Sequence, residues 1–331
     1  MKSIRLVKHT PATIAILGGG PAGISCALWC KNLGHLPVLL DTATLPGGTP
    51  AMIDRPNRWI AGSPQITSND LAQNLADHCS QSDLKVIPEL KGLNLKKSSP
   101  WKFQVDFQTD HQHETLNCSA IVIATGVRPR GIEALPFKLN SEVSESIDED
   151  PLGHLTGKNT HQGESALVIG GADNAFFTTL DLLKSGAKVT LACRSIPKAQ
   201  SAVQASLQEY IDKGQLTILN SSCSAINTHQ EGLIAELHNQ NESTKIHVNR
   251  IYLRIGFVPR FELLSESISR LNLPLDSKGY PQHDPDGRWS RSGVYCAGDL
   301  HQQGPASVVT ALGSGARVAK TIEEDLRKID R

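Results

Sequence analysis

The sequence predicts an α/β chain built from two three-layer units, the second inserted into the first. Three glycine-rich stretches carry that expectation. Ile14-Ala15-Ile16-Leu17-Gly18-Gly19-Gly20-Pro21-Ala22-Gly23 lies near the start, and Ala166-Leu167-Val168-Ile169-Gly170-Gly171-Ala172-Asp173-Asn174-Ala175 lies past the middle. Each joins a short apolar run to a helical pattern. The third, Gly293-Val294-Tyr295-Cys296-Ala297-Gly298-Asp299, closes a short apolar run near the end. A single such turn is a weak signal. Two in one chain, with the third stretch downstream of both, imply two Rossmann-like nucleotide-binding domains. The chain of 331 residues is long enough for both. The expected division is residues 1–129 with 258–331 for the outer domain and 130–257 for the inserted one.

The elements follow in order. Thr13–Leu17 reads as a strand, Pro21–Leu33 as a helix closed by Gly34, and Leu36–Leu40 as a second strand ending at Asp41. Residues 45–62, rich in Pro and Gly, read as loop. Ser68–Cys79 reads as a helix capped by Ser68 or Asn69. Trp101–Phe107 and Glu114–Cys118 alternate as a hairpin does, and Ala120–Ala124 is a buried-type strand leading into Thr125-Gly126. Residues 130–163 are the least regular and acidic around 142–150, as expected for a crossing linker. The first pattern then repeats, with strand Ala166–Ile169, helix Asn174–Ser185, Gly186 and strand Lys188–Ala192. A helix over Ser201–Lys213 and strands over Gln215–Leu219, Gly232–His238, Lys245–Val248 and Arg250–Ile255 follow. Val258-Pro259 marks the return crossing, Val294–Ala297 a last strand and Ser307–Lys328 a long last helix with Ser307 as its N-cap.

Composition excludes several classes. Lys+Arg and Asp+Glu balance at 33 each, so there is no basic footprint for nucleic acid or an anionic membrane. Apolar stretches are strand-sized, too short to span a bilayer. The first dozen residues carry basic side chains but no apolar signal core, so a cytoplasmic protein is expected. The seven cysteines form no C-x-x-C and no Cys/His group with zinc spacing, so no metal site is expected. Cys26 and Cys30, four apart on one helix, read as small core residues.

The chemistry sits in the turns. Gly18 permits the tight turn after the strand, Gly20 lets the backbone approach a pyrophosphate, and Gly23 lets the helix pack on the strand. Replacing Gly20 by Val is therefore expected to give a colourless, unstable chain. The helix start, with Pro21 and Ala22, offers N–H groups and the positive dipole end to phosphates. Asp41 stands at the offset of a carboxylate that binds a ribose hydroxyl. In the second turn Ala172 takes the place of the middle glycine, and Arg194 stands where an acid would favour NAD. A guanidinium there suits the 2′-phosphate of NADP, with Lys198 able to assist. Asp299 can accept a bond from a ribityl hydroxyl, and the N–H groups of Ser307 and Val308 face a reduced flavin's negative edge. His154, His161 and His301 are possible acid–base groups, though a lone loop histidine is more often solvated. Trp59 either covers a flavin or packs its own loop, while Tyr210 and Phe261 read as structural.

Gly18–Gly23, Gly47-Gly48-Thr49, Trp59 to Gly62, Ala124-Thr125-Gly126, Gly170–Ala175, Ile255-Gly256 and Gly298-Asp299 fall in one family order. The chain resembles the low-molecular-weight thioredoxin reductases, two-dinucleotide flavoproteins, from about Thr13 to the last helix. The resemblance implies FAD on the first turn and NADPH on the second. Gly18, Gly20, Pro21, Ala22, Gly23, Asp41, Gly48, Thr49, Thr125, Gly126, Gly298, Asp299, Ser307 and Val308 would serve FAD. Gly171, Asn174 and Arg194 would serve NADPH. It also implies a homodimer.

The departures shape the function expected. The family's redox C-x-x-C falls in a stretch that here reads Asp148-Glu149-Asp150-Pro151-Leu152-Gly153-His154-Leu155. The second arginine of the family is Ser195, the acidic pair on the next helix is Phe177 and Thr178, and a Gln-Ala pair is Ser307-Val308. The leading expectation is an FAD-dependent oxidoreductase taking hydride from NADPH and passing electrons to an acceptor outside the dithiol relay. That acceptor is an electron-carrier protein, a quinone or a small thiol compound. Two alternatives stand beside it. One is a non-catalytic FAD-binding redox sensor whose second nucleotide site is altered, even holding another nucleotide. The other is a flavin-dependent oxidase or monooxygenase, against which stands the absence of F-x-G-x-x-x-H.

Overall fold

The structure is a computed structural model that describes residues 10–53, 55–156, 162–229, 232–240, 242–291, 293–302 and 304–329. It divides into two compact units, residues 1–127 with 259–331 and residues 128–258.

In the first unit Thr13–Leu17 pairs in parallel with Leu36–Leu40 on one side and Ala120–Ile123 on the other. Lys85–Ile87 extends one edge and Val294–Cys296 the other, with Arg288–Arg291 antiparallel beyond it. The central strands, which read TIAIL, LPVLL and AIVI, are almost wholly apolar, because both faces of the sheet are covered. Ile14 and Ile16 face helices Pro21–Asn32 and Val308–Ile329. Ala15 and Leu17 face a three-stranded antiparallel sheet of Gly92–Ser99, Lys102–Gln108 and His113–Cys118, through Leu95, Phe103, Val105 and Phe107. The two helices cross closely at Gly315, where an added Cβ would stand 2.1 Å from the Ala22 carbonyl oxygen. Ser25 Oγ donates to the Leu312 carbonyl (2.7 Å) at the same crossing.

The second unit repeats the plan. Leu216–Asn220, Lys188–Cys193, Ser165–Ile169, Arg250–Leu253 and Ile147–Asp148 form an all-parallel sheet in that order. Val168 faces helix Asp173–Lys184 through Phe176 and Leu182. Leu167 and Ile169 face an antiparallel sheet of Ser222–His229, Gly232–His238 and Ser243–Val248. The α/β class and the two Rossmann-like sheets are as the sequence predicts.

Several details differ. The helix at 68 is capped by Thr67, whose Oγ1 accepts the Asp70 N–H at 3.0 Å, not by Ser68 or Asn69. The helix expected over Ser201–Lys213 is two, Ser201–Ser206 and Gln208–Asp212, broken at fully buried Leu207. Residues 45–62 contain a short 3-10 turn, Thr49–Met52. Lys85–Ile87, Gly92–Ser99, Ser222–His229, Arg288–Arg291 and helix Ser265–Arg270 lie outside the expected elements. Gly92–Ser99 and Ser222–His229 carry one solvated face each, so Lys, Asn, Ser and Thr dilute their apolar signal. Among the described residues no helix is long and apolar enough to cross a membrane.

Candidate cofactor site

In the first unit the C-terminal ends of the parallel strands converge. The Gly18 N–H donates to the Leu40 carbonyl (2.8 Å), the Ala124 N–H to Leu17 (2.7 Å) and the Ala297 N–H to Ile123 (3.0 Å). The Gly47 N–H donates to the Gly19 carbonyl at 2.7 Å, which pins the 47–49 loop over the glycine turn. Between these strand ends lies a cavity of about 340 Å³. Its wall holds Gly18, Gly20, Pro21, Ala22, Asp41, Gly48, Thr49, Thr125, Gly126, Gly298, Asp299, Ser307 and Val308, residues contributed by stretches up to 290 positions apart. Of the residues assigned to the first turn, Gly23 alone is off the wall. Its Cβ would stand 1.9 Å from the Gly18 carbonyl oxygen, so its part is to let helix meet turn.

Local chemistry keeps this wall open to a ligand. Gly18 has φ +108°, and a Cβ there would meet the Ala124 carbonyl oxygen at 2.4 Å. Helix Pro21–Asn32 starts at Gly20 with Pro21 in its first turn and no side-chain cap, so its leading N–H groups face the cavity. By contrast, Ser307 Oγ caps the last helix by accepting the Thr310 N–H at 3.2 Å. Asp41 accepts the Gly19 N–H on Oδ2 (2.7 Å) and the Ala43 N–H on Oδ1 (3.2 Å), so it braces the turn and also lines the cavity. The Gly298 N–H donates to Ser314 Oγ at 2.8 Å, which fixes Asp299, and burial pushes the Asp299 carboxyl up. Thr125 Oγ1 is buried and finds no hydrogen-bond partner among the described residues.

The remaining candidates fall elsewhere. Trp59 lines the cavity and is 72% exposed, so it does not pack its loop. His301 is neither solvated nor on the cavity wall. It is buried and stacked on His283, with centroids 4.5 Å apart, and its Nε2 has no partner among the described residues. Burial, then the neighbouring His283 and Arg317, lowers its pKa to about 4. A histidine held neutral in the fold favours the native state above its ordinary pKa. The unfolded chain takes up the proton first as pH falls, so stability should drop between about 6.5 and 4. Melting curves at pH 7.5 and 5 should show a larger loss for wild type than for His301→Leu; equal losses would contradict the assignment. His154 is half-buried with a covered ring, its Nε2 3.1 Å from Asp181 Oδ2, and His161 lies outside the described residues. Phe261 stacks on Trp289 and Tyr210 packs against the second unit's helix-face core.

In the second unit the strand Ser165–Ile169 runs into Gly170, whose Cβ would stand 2.2 Å from the Arg254 carbonyl oxygen. Helix Asp173–Lys184 begins at Ala172 without a side-chain cap. The Lys198 N–H donates to the Gly171 carbonyl (2.7 Å), and Asp173 accepts both the Gln200 N–H (2.7 Å) and its side-chain amide (3.0 Å). These bonds hold the loop carrying Arg194 against the glycine turn, with Arg194 exposed at the strand end. On the other side of the central strand, buried Arg254 donates to the Asp148 carboxylate (3.0 Å) and to Thr178 Oγ1 (3.1 Å). Glu149 accepts the Ile132 N–H at 3.0 Å. All seven cysteines are buried and free. A hydrogen bond to Cys30, with burial, holds the Cys26 thiol above its usual range. Among the described residues no group of three or more His, Cys, Asp or Glu side chains could hold a metal.

Comparison with known proteins agrees with this architecture. The family model of pyridine nucleotide-disulphide oxidoreductases matches residues 12–315. The thioredoxin reductase of Buchnera aphidicola subsp. Acyrthosiphon pisum is 25% identical, over 98% of this chain and 99% of its own. Among solved structures, Lactococcus lactis thioredoxin reductase superposes with a TM-score of 0.77 at 21% identity, covering 96% of this chain and 99% of that one. The bacillithiol disulfide reductase of Bacillus cereus does so with 0.74 at 17%, covering 95% and 99%. Two parallel-sheet units, each with a glycine turn at its centre, and a family match over nearly the whole length lead to one conclusion: the chain belongs to the pyridine nucleotide-disulphide oxidoreductase family.

Proposed function

We propose that the protein is an FAD-dependent oxidoreductase that takes hydride from NADPH and passes electrons to an acceptor other than its own dithiol. The carrying observation is the cavity where Gly18–Ala22, Gly48-Thr49, Thr125-Gly126 and Gly298-Asp299 meet. Its donors and acceptors suit a dinucleotide: uncapped helix N–H groups for the pyrophosphate, Asp41 for a ribose, and Asp299 and Thr125 Oγ1 for hydroxyls. FAD, when bound, would supply the two-electron chemistry and its relay to the acceptor. The chain's own work is to hold and orient that group. Ser307 and Val308 N–H groups at the start of a helix of 22 residues favour negative charge beside them.

Arg194 supports NADPH as the donor. The stretch from Asp148 to His154 carries carboxylates and an imidazole where the resembling family carries its thiols, and the free cysteines are all buried. These features support electron transfer to an electron-carrier protein, a quinone or a small thiol compound. A cytoplasmic homodimer is the assembly we propose, as the resemblance implies. Ala172, which adds a methyl group to the second turn, favours a second reading as an FAD-binding sensor without turnover.

Anaerobic mixing separates the two. Loss of the flavin's visible absorption on adding NADPH, with recovery on adding a quinone or carrier protein, is expected. Purified yellow protein that neither NADPH nor NADH bleaches would refute the enzyme reading.

A further inference from the structure

The cofactor cavity continues into a second chamber of about 200 Å³ beyond Asp41. Leu17, Leu40, Leu90, Leu93 and Leu264 give it an apolar lining. The two chambers share Gly18, Asp41, Thr125 and Arg260. Charge on their walls is one-sided. Asp41, Asp299 and Glu262 are acidic, and among the described residues Arg260 is the sole basic one lining either chamber. A dinucleotide would bring two more negative charges to this wall, and the uncapped helix start offers only about half a unit of positive charge against them.

Arg260 is placed for that task. Its N–H donates to the Gly126 carbonyl at 3.0 Å, so its backbone is fixed beside Thr125-Gly126. Its side chain is exposed, and among the described residues it makes no ion pair. The glycine turn marks where phosphates lie and Asp41 marks the ribose. Arg260 lines both the chamber that holds the helix start and the chamber beyond Asp41, so it stands along the stretch between phosphates and ribose.

Resting on the FAD reading, we propose that Arg260 is a cofactor-binding residue whose guanidinium pairs with the adenosine-side phosphate. The leucine-lined chamber then takes the adenine. Neither assignment was legible in the sequence, where Arg260 stands just past the return crossing and outside the motifs of the family order.

Titration of flavin-free full-length protein with FAD and with ADP, for wild type, Arg260→Ala and Arg260→Lys, tests this. One charge-assisted contact predicts a loss of roughly 10- to 100-fold in affinity for both ligands in Arg260→Ala. Arg260→Lys should recover part of it, and the salt dependence of FAD binding should be shallower in Arg260→Ala. Ligand-free melting temperatures should match, which a structural role would not allow. FAD and ADP affinities within twofold of wild type would overturn the proposal, as would an Arg260→Lys variant no better than Arg260→Ala. Wild type that binds ADP with the expected dependence on Arg260 but takes up no flavin would overturn the FAD reading and support the charge assignment. Wild type that binds neither ligand would overturn both.

Discussion

Gly20→Val is expected to purify as a folded but colourless chain, whereas Gly23→Ala is expected not to fold stably. The two glycines are three residues apart in one motif, yet they meet different neighbours. A Cβ on Gly20 finds nothing nearer than the Gly48 Cα at 3.9 Å, so the protein itself has room for a Cβ there. The added bulk faces the cavity, where the phosphates of a bound dinucleotide need the backbone within hydrogen-bond reach. The instability expected from sequence for Gly20→Val is thus replaced by loss of ligand alone. A Cβ on Gly23 would stand 1.9 Å from the Gly18 carbonyl oxygen, a backbone atom that cannot swing aside. Helix and turn must part, at a cost of about 3 kcal/mol or more, the upper end for an overpacked core. Flavin content and melting temperature distinguish them. A yellow Gly20→Val protein would remove the turn from the binding site, and a Gly23→Ala variant as stable as wild type would contradict the packing.

Arg194→Ala is expected to raise the apparent KM for NADPH by roughly 10- to 100-fold and to leave NADH nearly unchanged. The magnitude is that of one charge-assisted hydrogen bond. Its selectivity follows from chemistry, since only NADPH carries the 2′-phosphate. The surrounding loop should survive the change, because it is held by the backbone N–H of Lys198 and by the Gln200 bonds to Asp173, not by Arg194. Lys198→Ala should weaken NADPH less, if its ammonium adds only long-range attraction. Steady-state kinetics with both coenzymes decides the matter. An equal effect on NADPH and NADH would refute the assignment.

The glycine turns were legible because their requirements are local. Strand, turn and helix start lie within ten consecutive residues, and the apolar runs Ile14–Leu17 and Leu167–Ile169 mark buried parallel strands. Asp41 was legible for the same reason, standing one residue past a strand that pairs with the first. His301 was not. Its neighbour His283 comes from a loop with no pattern, and stacking between them takes the ring out of solvent and away from the cavity. Thr67 was missed as a cap because Ser68 and Asn69 are equally good capping residues by type. Only the path of the chain decides which side-chain oxygen meets the Asp70 N–H.

The sequence by itself determined an α/β chain with two glycine-turn units, an order of motifs that resembles the low-molecular-weight thioredoxin reductases, and the absence of any C-x-x-C. The tertiary structure decided which of those residues share a wall, that Gly23 packs while Gly20 faces the cavity, and that Arg260 spans two chambers. The physical reason is range. A turn depends on φ angles and neighbours a few residues away, whereas a binding wall depends on strand ends that come from opposite ends of the chain and meet only when the sheet has formed.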